Sequence, residues 1–198
     1  DPVRFIGNYS SGKMGYAIAE KLADEGAEVE LISGPVNIQP QHSNIKLHKV
    51  HTAQEMYEKS IELFPGCSGA VMAAAVADYA VENLNNEKLK RESTGNITLN
   101  LTPTKDIAAA LGQQKQSNQI LVGFALETNN ELANAQKKLI NKNLDFIVLN
   151  SLNEEGAGFN VDTNKITIID KSKKTTQYTL KDKKYVATDI VNYIIENY

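Results

Sequence analysis

The apolar residues of this chain change spacing repeatedly along its length, and that switching between two periods limits the folds open to it. After a polar stretch at 8–11, Met14, Ile18 and Leu22 recur every fourth residue, which lines up one helix face, and the run stops at Gly26, a natural helix end. Strand patterns follow at 29–32 and 45–50, with a loop rich in Pro, Asn and Gln between them. Thr52 and Glu55 have capping-box spacing, and Met56, Tyr57, Ile61 and Phe64 mark one face of a second helix. The run 70–76 is apolar at every position between Gly69 and Asp78, which predicts a strand covered on both faces and central to a parallel sheet. Periodicity fails across 79–100, a polar segment predicted to be a mobile loop. It returns with a helix from about Lys105, a strand at 120–124, a helix over 130–142 and a strand at 146–150. Residues 165–170 and 175–180 then read as a hairpin, and Val186, Ile190, Val191 and Ile194 as one face of a last helix. The pattern predicts an α/β chain whose mostly parallel sheet has an antiparallel edge.

At 198 residues, 41% of them hydrophobic, the chain fits one domain over 1–198 with an adequate core. Its longest apolar runs are near eight residues, whereas a membrane span needs roughly 20, so no membrane partner is predicted. A net charge of −3 with scattered basic residues leaves no footprint for a nucleic-acid duplex, so a bound phosphate is expected on a small molecule. A single cysteine, Cys67, excludes an internal disulfide and fits a reducing compartment.

The segment Gly7-Asn8-Tyr9-Ser10-Ser11-Gly12-Lys13-Met14 nearly spells the phosphate-cradling pattern G-x-x-x-x-G-K-[ST]. Met14 cannot ligate magnesium and only 3–6 is available as a preceding strand, so a nucleoside-triphosphatase loop is rejected. Two readings stay open: a helix start that attracts an anion through its free N–H groups, or a plain Ser-capped helix. Ala73-Ala74-Ala75-Val76-Ala77-Asp78 ends a strand in small residues, where ligands of open parallel sheets sit. Asp78 there either accepts from an amino group, joins the shell of a metal ion, or caps a turn. Lys88-Leu89-Lys90-Arg91 is either a solvated charge run or a basic flap over phosphates. In Pro103-Thr104-Lys105-Asp106, Thr104 reads as the cap of a second helix start on the same rim. Lys138 and Lys142, four apart on a helix, face either solvent or an anion. His48 and His51 point to opposite faces of a strand pattern and make no metal pair, and Cys67 has no evident base.

Six motifs occur in order: Asp1-Pro2-Val3-Arg4-Phe5-Ile6, Asn8 to Gly15, Ala74-Ala75-Val76-Ala77-Asp78-Tyr79, Lys88 to Arg91, Pro103-Thr104-Lys105-Asp106-Ile107 and Val122 to Thr128. With Lys142-Asn143-Leu144-Asp145 and Gly158-Phe159-Asn160, they closely resemble the bacterial CTP-dependent phosphopantothenate-cysteine ligase over nearly the whole chain. That ligase is usually the C-terminal half of a bifunctional coenzyme A biosynthesis protein. The resemblance implies a Rossmann-like three-layer fold, a cytoplasmic homodimer, and fusion to a flavin-dependent decarboxylase. It also implies two half-reactions: CTP activates the carboxylate of 4'-phosphopantothenate as an acyl-cytidylate, and L-cysteine then displaces CMP. Mg2+ would be held mostly by phosphates and water, with little dedicated protein chelation. By the same likeness, Lys88 assists acyl-cytidylate formation and Asn8, with Ser10 and Ser11, holds the substrate side for attack by cysteine. Ala74, Ala75 and Asp78 line the cytosine and ribose, Phe124 packs by the nucleotide, and Pro103, Thr104, Lys105, Asp106, Lys138 and Lys142 complete the nucleotide site. Arg91 stands where the family's K-x-K-K loop ends in Lys, keeping the charge but altering its shape. The family normally opens with a strand and a Gly-Gly-Thr loop before Asp-Pro-Val-Arg, so this sequence is expected to lack both.

The alternative from another class is a non-catalytic Rossmann-type nucleotide sensor. It lacks the G-x-G-x-x-G fingerprint, the nearest match being Gly12-x-x-Gly15, and it leaves the Lys-rich loop idle.

Overall fold

The protein is described by a computed structural model over residues 1–90, 96–127, 129–151 and 162–198. In chain order it forms α1 (Lys13–Asp24), β1 (Val29–Ser33), β2 (Ile45–Lys49), α2 (Ala53–Leu63), β3 (Gly69–Met72), β4 (Tyr79–Val81) and β5 (Leu101–Pro103). There follow α3 (Ile107–Gln114), β6 (Ile120–Glu127), α4 (Glu131–Asn141), β7 (Phe146–Ser151), β8 (Thr163–Asn164), β9 (Ile166–Asp170), β10 (Thr175–Gln177), β11 (Lys181–Asp182) and α5 (Lys183–Asn197).

The central sheet runs β10-β9-β7-β6-β3, with β3, β6 and β7 parallel and β9 and β10 antiparallel, so the predicted antiparallel edge is present. Alternation along each strand sends side chains to two separate cores. Val122, Phe146, Val148, Ile166 and Ile168 pack with Ile18 of α1 and Val186, Ile190 and Val191 of α5. Leu121, Ala125, Ile147, Leu149 and Ile169 face the other way, onto Ile107 and Leu111 of α3 and Ala135 and Leu139 of α4. Strands covered on both faces must be apolar throughout, which gives the three-layer, Rossmann-like α/β arrangement its unbroken hydrophobic runs.

Several boundaries differ from the expectation. The apolar run 70–76 is a strand only to Met72, and among the described residues β3 is an outer strand of the five, not a central one. Its composition reflects cover on both faces: Val71 belongs to the α1–α5 side, and Ala70 and Met72 to the side of α2. Beyond Met72 the chain leaves the ladder, since the Ala73 N–H turns back to the Val71 carbonyl at 3.2 Å. Of the predicted mobile loop 79–100, the first three residues are β4, which pairs antiparallel with β5 as a separate two-stranded ribbon. His51 lies past the end of β2, so the opposite-face argument does not apply to it; His48, within β2, contacts the Glu30 carboxylate of β1.

At the starting ends of β6 and β7, Asp145 accepts from Lys115 (2.8 and 2.9 Å), Lys171 (2.7 Å) and the Leu121 N–H (2.6 Å). Burial pushes the Asp145 carboxyl up, but these donors outweigh it and hold the group below the usual carboxylate range. A depressed folded-state value contributes stability above the unfolded value near 4 and loses it as pH falls through the folded value. Asp145→Asn is therefore expected to cost about 3 kcal/mol at neutral pH by leaving the buried Lys115 ammonium unpaired. Urea unfolding should show this cost shrinking below roughly pH 4; a cost independent of pH would contradict the ion-pair account.

Candidate active site

The approach to α1 is built from small residues, and it does not form a Ser cap. Gly12 takes the left-handed conformation (φ 75°) with no side-chain cap bond, and a Cβ there would lie 3.1 Å from the Val36 side chain. Ser10 Oγ accepts from the Gly12 N–H (3.3 Å) and Ser11 Oγ from the Lys13 N–H (3.5 Å), so both hydroxyls brace the loop. Lys13, which in a triphosphatase loop would reach phosphates, is instead paired with the exposed Asp162 carboxylate.

Beside this helix start lies the turn 73–78 that follows β3; a Cβ on Gly15 would sit 3.8 Å from that of Ala73. Three successive carbonyls of the turn are held from outside. Asn8 Nδ2 donates to Val76 O (3.0 Å), Thr104 Oγ1 to Ala77 O (2.7 Å), and the Thr104 N–H to Asp78 O (2.9 Å). Ala74 and Asp78 are exposed and Ala75 is half-buried. Asn8, Ala74, Ala75, Asp78 and Thr104 are thus brought together, by contacts spanning up to 68 residues of sequence.

The helix start expected at Thr104 falls two residues later. Asp106 caps α3, its carboxylate accepting from the Ala109 N–H (3.0 Å), because Thr104 is committed to the turn. Lys142 Nζ lies 3.0 Å from the same carboxylate. Burial raises the Asp106 carboxyl, and the Ala109 amide and Lys142 more than reverse it. With that carboxylate on its first turn, α3 offers no open anion seat. Lys105 sits over the Tyr57 ring, 4.7 Å from its centroid. Lys138 and Lys142 line a shallow groove of about 280 Å³ on α4 with Asn134, Lys137 and Asn141, which includes no residue of the 73–78 turn or of α1. Phe124 is half-buried on the α1–α5 side of β6, and Pro103 is exposed at the end of β5.

The basic loop is anchored at its centre. The Leu89 N–H donates to Asp1 Oδ2 (3.2 Å), and Arg4 Nη2 donates to Leu89 O (2.9 Å) while pairing with the Asp1 carboxylate. Lys88 and Lys90 on either side are exposed; Arg91, Thr128 and the Gly158-Phe159-Asn160 motif lie outside the described residues. Sequence reasoning missed this anchor, the Asn8–Val76 bond and the Thr104 clamp, because pairings between distant loops leave no local signal. Among the described residues no three His, Cys, Asp or Glu are grouped to hold a metal ion, and no helix is long and apolar enough to cross a membrane.

Residues 1–198 match the family described as DNA/pantothenate metabolism flavoprotein C-terminal domain. A cysteine/cysteine sulfinic acid decarboxylase from an unknown prokaryotic organism is 53% identical over 195 residues, 98% of this chain and 54% of that protein. The coenzyme A biosynthesis bifunctional protein CoaBC of Bacillus subtilis (strain 168) is 41% identical over 194 residues, again 98% of this chain and 47% of that protein. The chain thus spans about half the length of the curated relatives it matches. The crystal structure of the C-terminal domain of a coenzyme A biosynthesis bifunctional protein CoaBC superposes with a TM-score of 0.81 at 37% identity, covering 98% of this chain and 86% of that one.

Proposed function

Because this chain belongs to the family of DNA/pantothenate metabolism flavoprotein C-terminal domains, we propose that it is a ligase unit of coenzyme A biosynthesis. It joins 4'-phosphopantothenate to L-cysteine at the expense of CTP. The observation that carries this reading is the convergence of Asn8 and the 73–78 turn, linked by the bond from Asn8 Nδ2 to Val76 O.

In the first half-reaction the substrate carboxylate attacks the α-phosphorus of CTP, a new C(O)–O–P bond forms, and pyrophosphate leaves. Two anions must meet, so the barrier is electrostatic. Lys88, exposed on an anchored loop, supplies a positive charge against the triphosphate. Ala74, Ala75 and Asp78 line the cytosine and ribose, their small side chains letting a flat ring approach the backbone, and Phe124 packs near the nucleotide. In the second half-reaction the cysteine amine attacks the acyl carbon and CMP departs. Asn8, one N–H of which is fixed on Val76, has its second N–H and its oxygen for the acyl-cytidylate, with Ser10 and Ser11 shaping the same loop. The donor chemistry around the turn suits Mg2+ carried by the triphosphate: Asp78 is the turn's one carboxylate, so most ligands would be phosphate oxygens and water.

The unit acts as a cytoplasmic homodimer, fused in the whole protein to a flavin-dependent decarboxylase, and takes neither nucleic acid nor membrane as partner. Exposed Tyr79, Leu84, Ile97, Leu99 and Leu101 on and beside the β4–β5 ribbon support the dimer, since a lone two-stranded ribbon needs cover.

With CTP, Mg2+, phosphopantothenate and cysteine, the protein should release pyrophosphate and CMP in equal amounts. Pyrophosphate release that ignores phosphopantothenate would count against ligation. Calorimetric preference for NADH over CTP would favour a nucleotide sensor instead.

A further inference from the structure

The turn after β3 is held in a way that its sequence does not advertise. Carbonyls 76, 77 and 78 each accept one hydrogen bond, and two of the three donors belong to Thr104. Its N–H and its hydroxyl grip adjacent carbonyls, so the residue acts as a two-point clamp between the exit of β3 and the entry to α3. Half-buried and with its hydroxyl 2.7 Å from Ala77 O, Thr104 does not offer that proton to a ligand. The third donor, Asn8, is exposed and lies in a different loop. Ala side chains carry no hydrogen-bonding group and 73–77 lies outside β3 and β4, so the hydroxyl bond to Ala77 O adds a second hold to the Thr104 N–H bond to Asp78 O, which continues the β4–β5 register.

We propose that Thr104 is a positioning residue for the candidate active site, acting through the 73–78 turn rather than by touching the nucleotide. The inference rests on the ligase reading for its catalytic consequence and on the hydrogen bonds alone for its structural one. With the hydroxyl in place, the Ala74–Ala75 backbone and the Asp78 carboxylate are presented in one arrangement. Without it, the backbone N–H of residue 104 still holds Asp78 O, but Ala77 O is released and the turn samples other conformations. Ligand then binds only the fraction that is correctly arranged, so apparent affinity falls while turnover of the bound complex changes little.

Thr104→Val removes the hydroxyl at constant shape, and Thr104→Ser restores it. In the full chain, hydrogen–deuterium exchange of the residue-104 amide, whose N–H donates to Asp78 O, should be about tenfold faster in the Val variant after correction for its intrinsic rate and near the original rate in the Ser variant, without ligand or turnover. In the ligation assay, KM for CTP should rise about tenfold in Thr104→Val with kcat within about twofold, and Thr104→Ser should recover most of it. Unchanged exchange in the Val variant would overturn the clamp, as would a Ser variant no better than Val. If exchange responds as expected but the original protein makes no pyrophosphate from CTP and phosphopantothenate, the clamp stands and the ligase reading fails.

Discussion

Replacing Lys88 by Gln is expected to lower CTP-dependent pyrophosphate release by about 10²- to 10³-fold, the range typical of removing one charge-stabilising group from a polar transition state. The argument rests on how the loop is built. Leu89 has its N–H on the Asp1 carboxylate and its carbonyl on Arg4, so the backbone beside Lys88 is fixed. The Lys88 ammonium itself has no protein partner among the described residues. A fixed base with a free charge suits an anion that arrives and leaves. Gln keeps much of the stem and removes the charge, so folding should be unaffected and the thermal midpoint within about 1 °C, since exposed substitutions seldom move stability by more than about 0.5 kcal/mol. The second half-reaction, started from acyl-cytidylate supplied directly, should proceed at nearly the original rate. A Gln variant that releases pyrophosphate normally would remove Lys88 from the first step. Arg at the same position should recover only part of the rate, because a planar guanidinium presents its charge differently from an ammonium.

The layers of the fold were legible because burial on both faces writes itself into sequence. Strands β6, β7 and β9 carry clustered apolar residues, and the helices between them carry one-sided stripes, so existence and type of element follow from spacing. The same rule overstates the length of the strand after Gly69. Ala73 to Val76 look like more of a buried strand, yet small apolar residues serve equally in a tight turn beside a helix, and only the Ala73–Val71 backbone bond separates the two cases. Local sequence does not decide the cap of α3. Thr104 and Asp106 are both good cap residues, and what decided between them was a carbonyl 27 residues upstream that claimed the Thr hydroxyl. The site was legible as a set of motifs and not as a geometry. Asn8, Ala74, Ala75, Asp78 and Thr104 do converge, whereas Lys138 lines a groove on α4, Lys142 just past that helix pairs with the Asp106 carboxylate, and Lys105 stacks on Tyr57. A lysine's position in sequence carries no information about whether an aromatic ring or a carboxylate will claim its charge first.

Asn8→Asp is expected to separate the two half-reactions in the opposite sense: pyrophosphate release continues for about one equivalent per site, then stalls as acyl-cytidylate accumulates. The substitution changes one atom of the side chain and reverses its capacity. Asn8 Nδ2 donates to Val76 O, and a carboxylate in its place cannot donate and repels that carbonyl. The side chain must swing away, which takes the remaining polar atoms of residue 8 off the acyl-cytidylate and sets a negative charge near its anionic phosphate. Capture by cysteine should slow by about 10²-fold or more. The first half-reaction is spared because Thr104, which grips the two adjacent carbonyls nearest Asp78, still holds Ala77 O and Asp78 O, whereas Asn8 holds only Val76 O, so Asp78 stays in place for CTP. Rapid-quench analysis with labelled CTP reads both steps in one experiment. Equal loss of both would mean that the bond to Val76 is what fixes the turn, and that Asn8 serves the architecture of the site rather than the fate of the activated acid. Combining Asn8→Asp with Thr104→Val removes two of the three anchors, and this pair should abolish the burst that Asn8→Asp alone retains.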